Sequence, residues 1–256
     1  MMRTQLIAFY TITYAELNRF LRVWSQSLMP PVVTMLLYFI VFGKFIGSQL
    51  DHIHGVSYMN FITPGLIMMS TIMAAYNNTV FSFFVSRFHK NIEEILIAPV
   101  SYHTLLLGYV TGGVTRGLLT GLLVTITSFL FTHYVPHNIA VILLSAGMAS
   151  IFFSLAGLTN AIFSKKFDDI SLVPTFILTP LAYLGGIFYS IDQLPSGWQI
   201  VSHFNPIFYI IAIFRYGFLG IKTVSLTHGF IVLAAFIVLI YSINYLLLKR
   251  GIGVRN

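Results

Sequence analysis

Residues Phe204–Ile221 read FNPIFYIIAIFRYGFLGI, and how often the chain crosses a membrane depends on the reading of that stretch. It is nearly long and apolar enough to span, since a hydrocarbon core roughly 30 Å thick takes about 20 apolar residues. It also holds Arg215 and opens on Asn205-Pro206. Six other stretches pass the same ruler: Leu28–Ile46, Met59–Phe84, Leu105–Phe131, Ile139–Phe163, Ile170–Tyr189 and Gly229–Leu248. The basic residues arbitrate. With the N-terminus cytoplasmic and six spans, Arg3, Arg19, Arg22, Arg87, Lys90, Lys165, Lys166, Lys249, Arg250 and Arg255 collect inside, against Lys44, Arg215 and Lys222 outside. That asymmetry satisfies the positive-inside rule. A seventh span would carry Lys249, Arg250 and Arg255 to the wrong side. The stretch is therefore expected to belong to an outer region, 190–228, in which a pair of short helices dips in and returns. Non-spanning backbone of this kind must be buried in protein.

The composition supports the membrane class. Of 256 residues 57% are hydrophobic and 8% charged, and the mean hydropathy is +0.87. A soluble domain carries about 25% charged residues. This excludes a soluble enzyme, a soluble nucleic-acid binder and a disordered tail. The net charge of +7 then reads as cytoplasmic loops facing anionic lipid rather than nucleic acid. The absence of cysteine excludes disulfides and thiolate metal sites. The first 25 residues lack the apolar core and cleavage site of a signal peptide. Within 1–27, Leu6, Tyr10, Leu17, Phe20, Leu21 and Trp24 recur at helical spacing, with Gln5, Glu16, Asn18, Arg19 and Arg22 largely elsewhere. This pattern predicts a helix lying flat in the cytoplasmic interface, and Pro30-Pro31 suits the start of the first span.

Between the second and third spans, Ser86–Ser101 reads SRFHKNIEEILIAPVS. It passes from a polar run to the acidic pair Glu93-Glu94, then to Ile95-Leu96-Ile97, and ends at Pro99. A short helix across the cytoplasmic mouth is expected, with Glu93 and Glu94 facing outward and Pro99 closing it. A plain solvated connector needs neither an apolar triplet nor helical length.

Taken in order, NIEEILIAPVS (Asn91–Ser101), FDDISLVPTFILTPLAYLGGIFYS (Phe167–Ser190) and FNPIFYIIAIFRYGFLG (Phe204–Gly220) resemble the ABC-2 type permease family along nearly the whole chain. The resemblance implies a single transmembrane domain over 1–256: an interfacial helix, six spans, a cytoplasmic coupling helix within 85–101, and outer re-entrant helices. It also implies a permease in a bacterial inner membrane that pairs with a second copy of itself and with two copies of a separate ABC ATPase subunit. In that scheme Glu93, Glu94, Ile95, Leu96, Ile97 and Pro99 meet the ATPase, while Gly185, Gly186, Asn205 and Pro206 belong to the outer gate. ATP and Mg would be bound by the partner. This chain has no G-x-x-x-x-G-K-[ST] phosphate loop and no stretch long enough for a nucleotide-binding domain.

Other residues admit two readings. Gly113-x3-Gly117-x3-Gly121, with Gly108 and Gly112, makes a groove for close helix packing or lies at a gate. Arg116 beside it is costly at membrane depth; it pairs or snorkels, or it faces a translocation path. Asp168-Asp169 cap the fifth span or touch the ATPase. Pro174, Pro180 and Gly185-Gly186 predict a kinked span. Tyr183, Phe188 and Tyr189 line an exit path or anchor the interface. His52 and His54 beside Asp51, and His133 with His137, form no recognisable metal motif, and no cofactor is expected on this chain. An integral-membrane enzyme would need acids, bases or nucleophiles at membrane depth, whereas all seven acidic residues fall outside the span centres. A passive channel or anchor would leave 86–101 without a role. The cargo of an exporter, a drug, lipid or polysaccharide-like amphiphile, is not specified by these residues.

Overall fold

The computed structural model describes residues 2–46, 53, 55–132 and 134–253. Apart from one bridge between Ile53 and Val56, the regular structure in these residues is helical: α1 (Met2–Arg22), α2 (Trp24–Tyr38, widening into π-type turns over Phe39–Ile46), α3 (Tyr58–Phe88), α4 (Asn91–Ile97), α5 (Tyr102–Ser128), α6 (Ile139–Phe163), α7 (Asp169–Val173), α8 (Thr179–Leu184), α9 (Ser196–His203), α10 (Pro206–Leu219) and α11 (Leu226–Lys249). The starts are written in the sequence. Ser57, Ser101, Asn138 and Asn205 each accept a backbone N–H of the following turn on the side-chain oxygen, which satisfies a donor the helix leaves orphaned.

The buried axis is α3, packed between α5 and α6. The glycines of α5 explain how closely. A Cβ on Gly117 would meet Ala75 at 2.9 Å and Ser150 at 3.0 Å, and the sites of Gly113 and Gly121 are occupied by Thr79, Ser154 and Thr71. Thr71, Ala75 and Thr79 are one turn apart, so a ridge of α3 fills the glycine groove of α5. Small residues let membrane helices approach in this way. The groove is a packing seam.

Among the described residues, five helices are long and apolar enough to cross a membrane, Trp24–Phe42, α3, α5, α6 and α11, or six if the bent pair α9–α10 is one span. The fifth expected span, Ile170–Tyr189, differs. Its helix runs only over Asp169–Leu184, about 24 Å at roughly 1.5 Å per residue. Pro174 and Pro180 cannot donate to the ladder, and the chain widens into π-type turns over Pro174–Leu178 between α7 and α8. Gly186 then turns the chain at φ +80°, so residues 185–189 leave the helix.

The stretch 204–221 contains a bend rather than a straight rod: α9 and α10 meet at 88°. Asn205 Nδ2 donates to the Leu181 carbonyl at 2.6 Å, near the end of α8. The N–H groups of His137 and Asn138, just before α6, donate to Phe218 and Gly217. Gly229, at the start of α11, meets Ile213. The two ends of α10 thus meet the end of α8 and the starts of α6 and α11, and the 88° bend is that of a broken span or of a re-entrant pair.

On α1 the polar side of the pattern is partly covered by protein. Leu6, Tyr10, Leu21 and Trp24 are exposed, while Ile12, Glu16 and Phe20 are buried. The helix runs alongside the first turns of α5, Ile12 filling the space left by Gly108 and Glu16 that left by Gly112. Two α5 glycines thus admit α1, and with it a carboxylate.

Candidate functional site

The segment between α3 and α5 folds into α4. Lys90, at φ 61° and so in the left-handed region, turns the chain out of α3. Ile92 is 1% exposed and anchors the helix, and Ile95 packs partly against the core. Glu93 and Glu94 sit in the first turn, where negative charge suits the helix dipole, and both are exposed. Ile97 is 86% exposed, and the helix ends there, ahead of the exposed Pro99. The side chain of Leu96 lies outside the described residues. The expected triplet therefore splits: Ile95 faces inward and Ile97 outward. The anchor, Ile92, belongs to the same apolar pattern one turn earlier, hidden in the sequence by the acidic pair that follows it.

A hydrogen-bonded latch joins this segment to the N-terminal helix. Gln5 Nε2 donates to the Pro99 carbonyl at 2.7 Å, and Gln5 Oε1 accepts from the Ser101 N–H at 2.9 Å and the Thr104 hydroxyl at 2.7 Å. Three turns along α1, the Glu16 carboxylate accepts from Arg19 Nη2 at 2.9 Å, from Asn78 Nδ2 at 3.4 Å and from the Ser82 hydroxyl. Arg19 also donates to Asn78 Oδ1 at 3.0 Å. The residues that look like a water-facing stripe in the sequence are thus the ones that fasten α1 to α3 and α5. Nearby, Arg87 donates to the carbonyls of Ile162 and Ser164, closing the end of α3 on the end of α6. Beside it opens a cavity of about 590 Å³ lined by Arg87, Lys90, Ile92, Glu93 and Lys165. Asp169 accepts the N–H groups of Lys165 and Lys166 at 2.8 and 3.0 Å in the connector before α7, and Asp168 makes no side-chain cap bond.

At the opposite end, Asn205 Oδ1 accepts the Ile207 N–H at 3.0 Å with Pro206 at the first helical position. Gly185 lies against Ile207, where a Cβ would come within 2.8 Å. Gly185, Gly186, Asn205 and Pro206 are thus brought together. Arg215, one of the three basic residues on the outer side of the charge count, is 4% exposed. Its Nη2 donates to the Gly186 carbonyl at 2.6 Å, its Nε to the Phe61 carbonyl at 3.3 Å, and its guanidinium lies 3.9 Å from the Phe61 ring centroid. It fastens α10 to the turn after α8 and to α3, a role its position in an apolar run signals only as an anomaly.

Tyr183 and Phe188 meet at 5.7 Å, and Phe188 stacks on Phe42 at 4.8 Å and lies 6.1 Å from Tyr38. Tyr189 is half-buried and its carbonyl lies beside Gly186. Arg116 is in the middle of α5, where its Nη2 donates to the Ser27 carbonyl at 3.1 Å. Among the described residues, no group of three His, Cys, Asp or Glu side chains is placed to hold a metal ion; Asp51, His52, His54 and His133 lie outside them.

The chain matches the ABC-2 type transporter family model over residues 7–219. It is 54% identical over 256 residues, all of both chains, to the inner membrane transport permease YadH of Escherichia coli strain K12. More distant relatives include nodulation protein J of Rhizobium meliloti, 26% identical over 90% of this chain and 88% of that one, and of Neorhizobium galegae, 22% identical over the same shares. A helical bundle with several membrane-length spans, matched over most of its length by the family model and end to end by a permease, belongs to the ABC-2 type transporter family.

Proposed function

We propose that the chain is the membrane subunit of an ATP-driven exporter, acting as a homodimer with two copies of a separate ATPase that binds ATP and Mg. It works in the inner membrane with both termini in the cytoplasm, and its cargo is an amphiphile. The observation that carries this reading is α4: a short helix pinned by Ile92, with Glu93, Glu94 and Ile97 exposed. A connector has no need of an anchored helix with an exposed charged rim. At such a rim the charges set register and on-rate, while the apolar contact supplies more of the affinity. The Gln5 latch offers a route for movement, since a push on α4 is felt at Pro99 and Ser101 and so in α1 and α5. Arg116, Tyr183, Phe188 and Tyr189 are proposed to border the translocation path, and α9–α10 with Gly185 and Gly186 to close its outer end.

The test is co-expression with candidate ABC ATPases, followed by capture and by hydrolysis measured in proteoliposomes. Replacing both Glu93 and Glu94 by alanine should leave the permease monodisperse and reduce stimulated hydrolysis severalfold, and Ile97→Ala should weaken capture itself. Wild-type capture and stimulation in all of these variants would make α4 a connector.

A further inference from the structure

A row of cavities runs along α2 and meets a partly buried cation, Arg116, at one end. The first, of about 340 Å³, is lined by Ser27, Met35, Tyr38, Met69, Met73 and Arg116. A second, of about 250 Å³, shares Thr34 and Tyr38 with it and continues to Phe42. A third, of about 320 Å³, lies on the other side of Arg116 with Asn77, Phe81 and Pro174. From Ser27 to Phe42 the helix rises about 22 Å at roughly 1.5 Å per residue, and Phe42 ends in the aromatic group with Phe188 and Tyr183.

The guanidinium is under-satisfied. Its Nη2 has the Ser27 carbonyl, its Nε is buried without a partner, and among the described residues no carboxylate pairs with it. The acid one turn away is already committed: Glu16, packed at Gly112, serves Arg19, Asn78 and Ser82. An arginine at mid-span costs at least about 2.5–3.5 kcal/mol on insertion scales and is retained where it faces a partner or a wet cavity. Thioethers adapt to chains of varied shape, and the aromatic group offers a flat apolar stop.

We propose that Arg116 holds the anionic head group, phosphate or carboxylate, of a long-chain amphiphile whose apolar body lies along α2 past Met35 and Met73 towards Tyr38 and Phe42. That this ligand is also the cargo rests on the permease reading; its binding does not. A planar guanidinium takes such a group through two parallel hydrogen bonds, and the Nη1–Nη2 edge offers that fork, since Nε is enclosed.

The experiment measures binding of dodecyl phosphate, dodecyltrimethylammonium and dodecyl maltoside to the purified full chain in a neutral environment, with native mass spectrometry reporting any retained lipid. Dodecyl phosphate should bind at least tenfold more tightly than the other two. Arg116→Gln should abolish that preference, and Arg116→Lys should keep part of it. A retained anionic phospholipid displaced by dodecyl phosphate would identify the occupant as a resident lipid; an empty site filled by the probe would identify an exchanging ligand. Equal affinity for the three probes in the wild type overturns the proposal whether or not the variants fold. Equal preference in the wild type and Arg116→Gln overturns it too. Wild-type capture of the ATPase is measured in parallel, so failure of the anion site and failure of the permease reading appear in different assays.

Discussion

Glu16 is the residue whose surroundings differ most from its sequence context. In the sequence it belongs to the polar side of an amphipathic helix; in the structure it is 5% exposed and bound by Arg19, Asn78 and Ser82. Removing one partner of a fully buried pair costs about 3–5 kcal/mol, and less is expected here because Arg19 keeps 31% of its side chain exposed. Glu16→Ala should therefore lower the unfolding temperature in detergent markedly. Glu16→Gln, which keeps hydrogen-bonding atoms at the same place, should lower it less. Two variants as stable as wild type would show that the cluster does not fasten α1. The sequence could not reveal this burial, because helical periodicity gives the two faces of α1 without saying which of them meets protein. The signal was present in Gly108 and Gly112: they lie off the Gly113–Gly117–Gly121 seam and leave room for a second helix beside α5.

At the scale of elements, the stops and starts were legible and the lengths less so. Ser101, Asn138 and Asn205 announce α5, α6 and α10 by cap chemistry, and Pro99 marks the end of α4. The fifth apolar stretch reads as a full span because hydropathy does not register how Pro174, Pro180 and Gly186 shorten the helix. Burial of Arg215 was equally hidden, since its acceptors, the carbonyls of Gly186 and Phe61, are backbone atoms that no sequence pattern displays. For α10 the prediction concerns Asn205, whose side chain both accepts from Ile207 and donates to Leu181. Asn205→Ala should cost about 0.5–2 kcal/mol through the lost cap. It should impair transport while leaving ATPase capture intact. Normal transport, or loss of capture, would remove α10 from the outer closure.

For the whole molecule, we propose a docking helix at one end of a bundle built on α3 and a closing helix at the other, the first cytoplasmic and the second outside, as the positive-inside rule suggests. Single cysteines at Ser196 and Thr227, in a chain that has none of its own, should label from outside intact cells; labelling of Ser196 only after the membrane is opened would reverse the assignment. The most direct test of the central claim uses the same cysteine-free background. Cysteine placed at Ile97, on the exposed side of α4, should cross-link to the co-expressed ATPase, while cysteine at Ser196 should not. ATPase cross-linking that is absent at Ile97, or no greater there than at Ser196, would contradict coupling through α4.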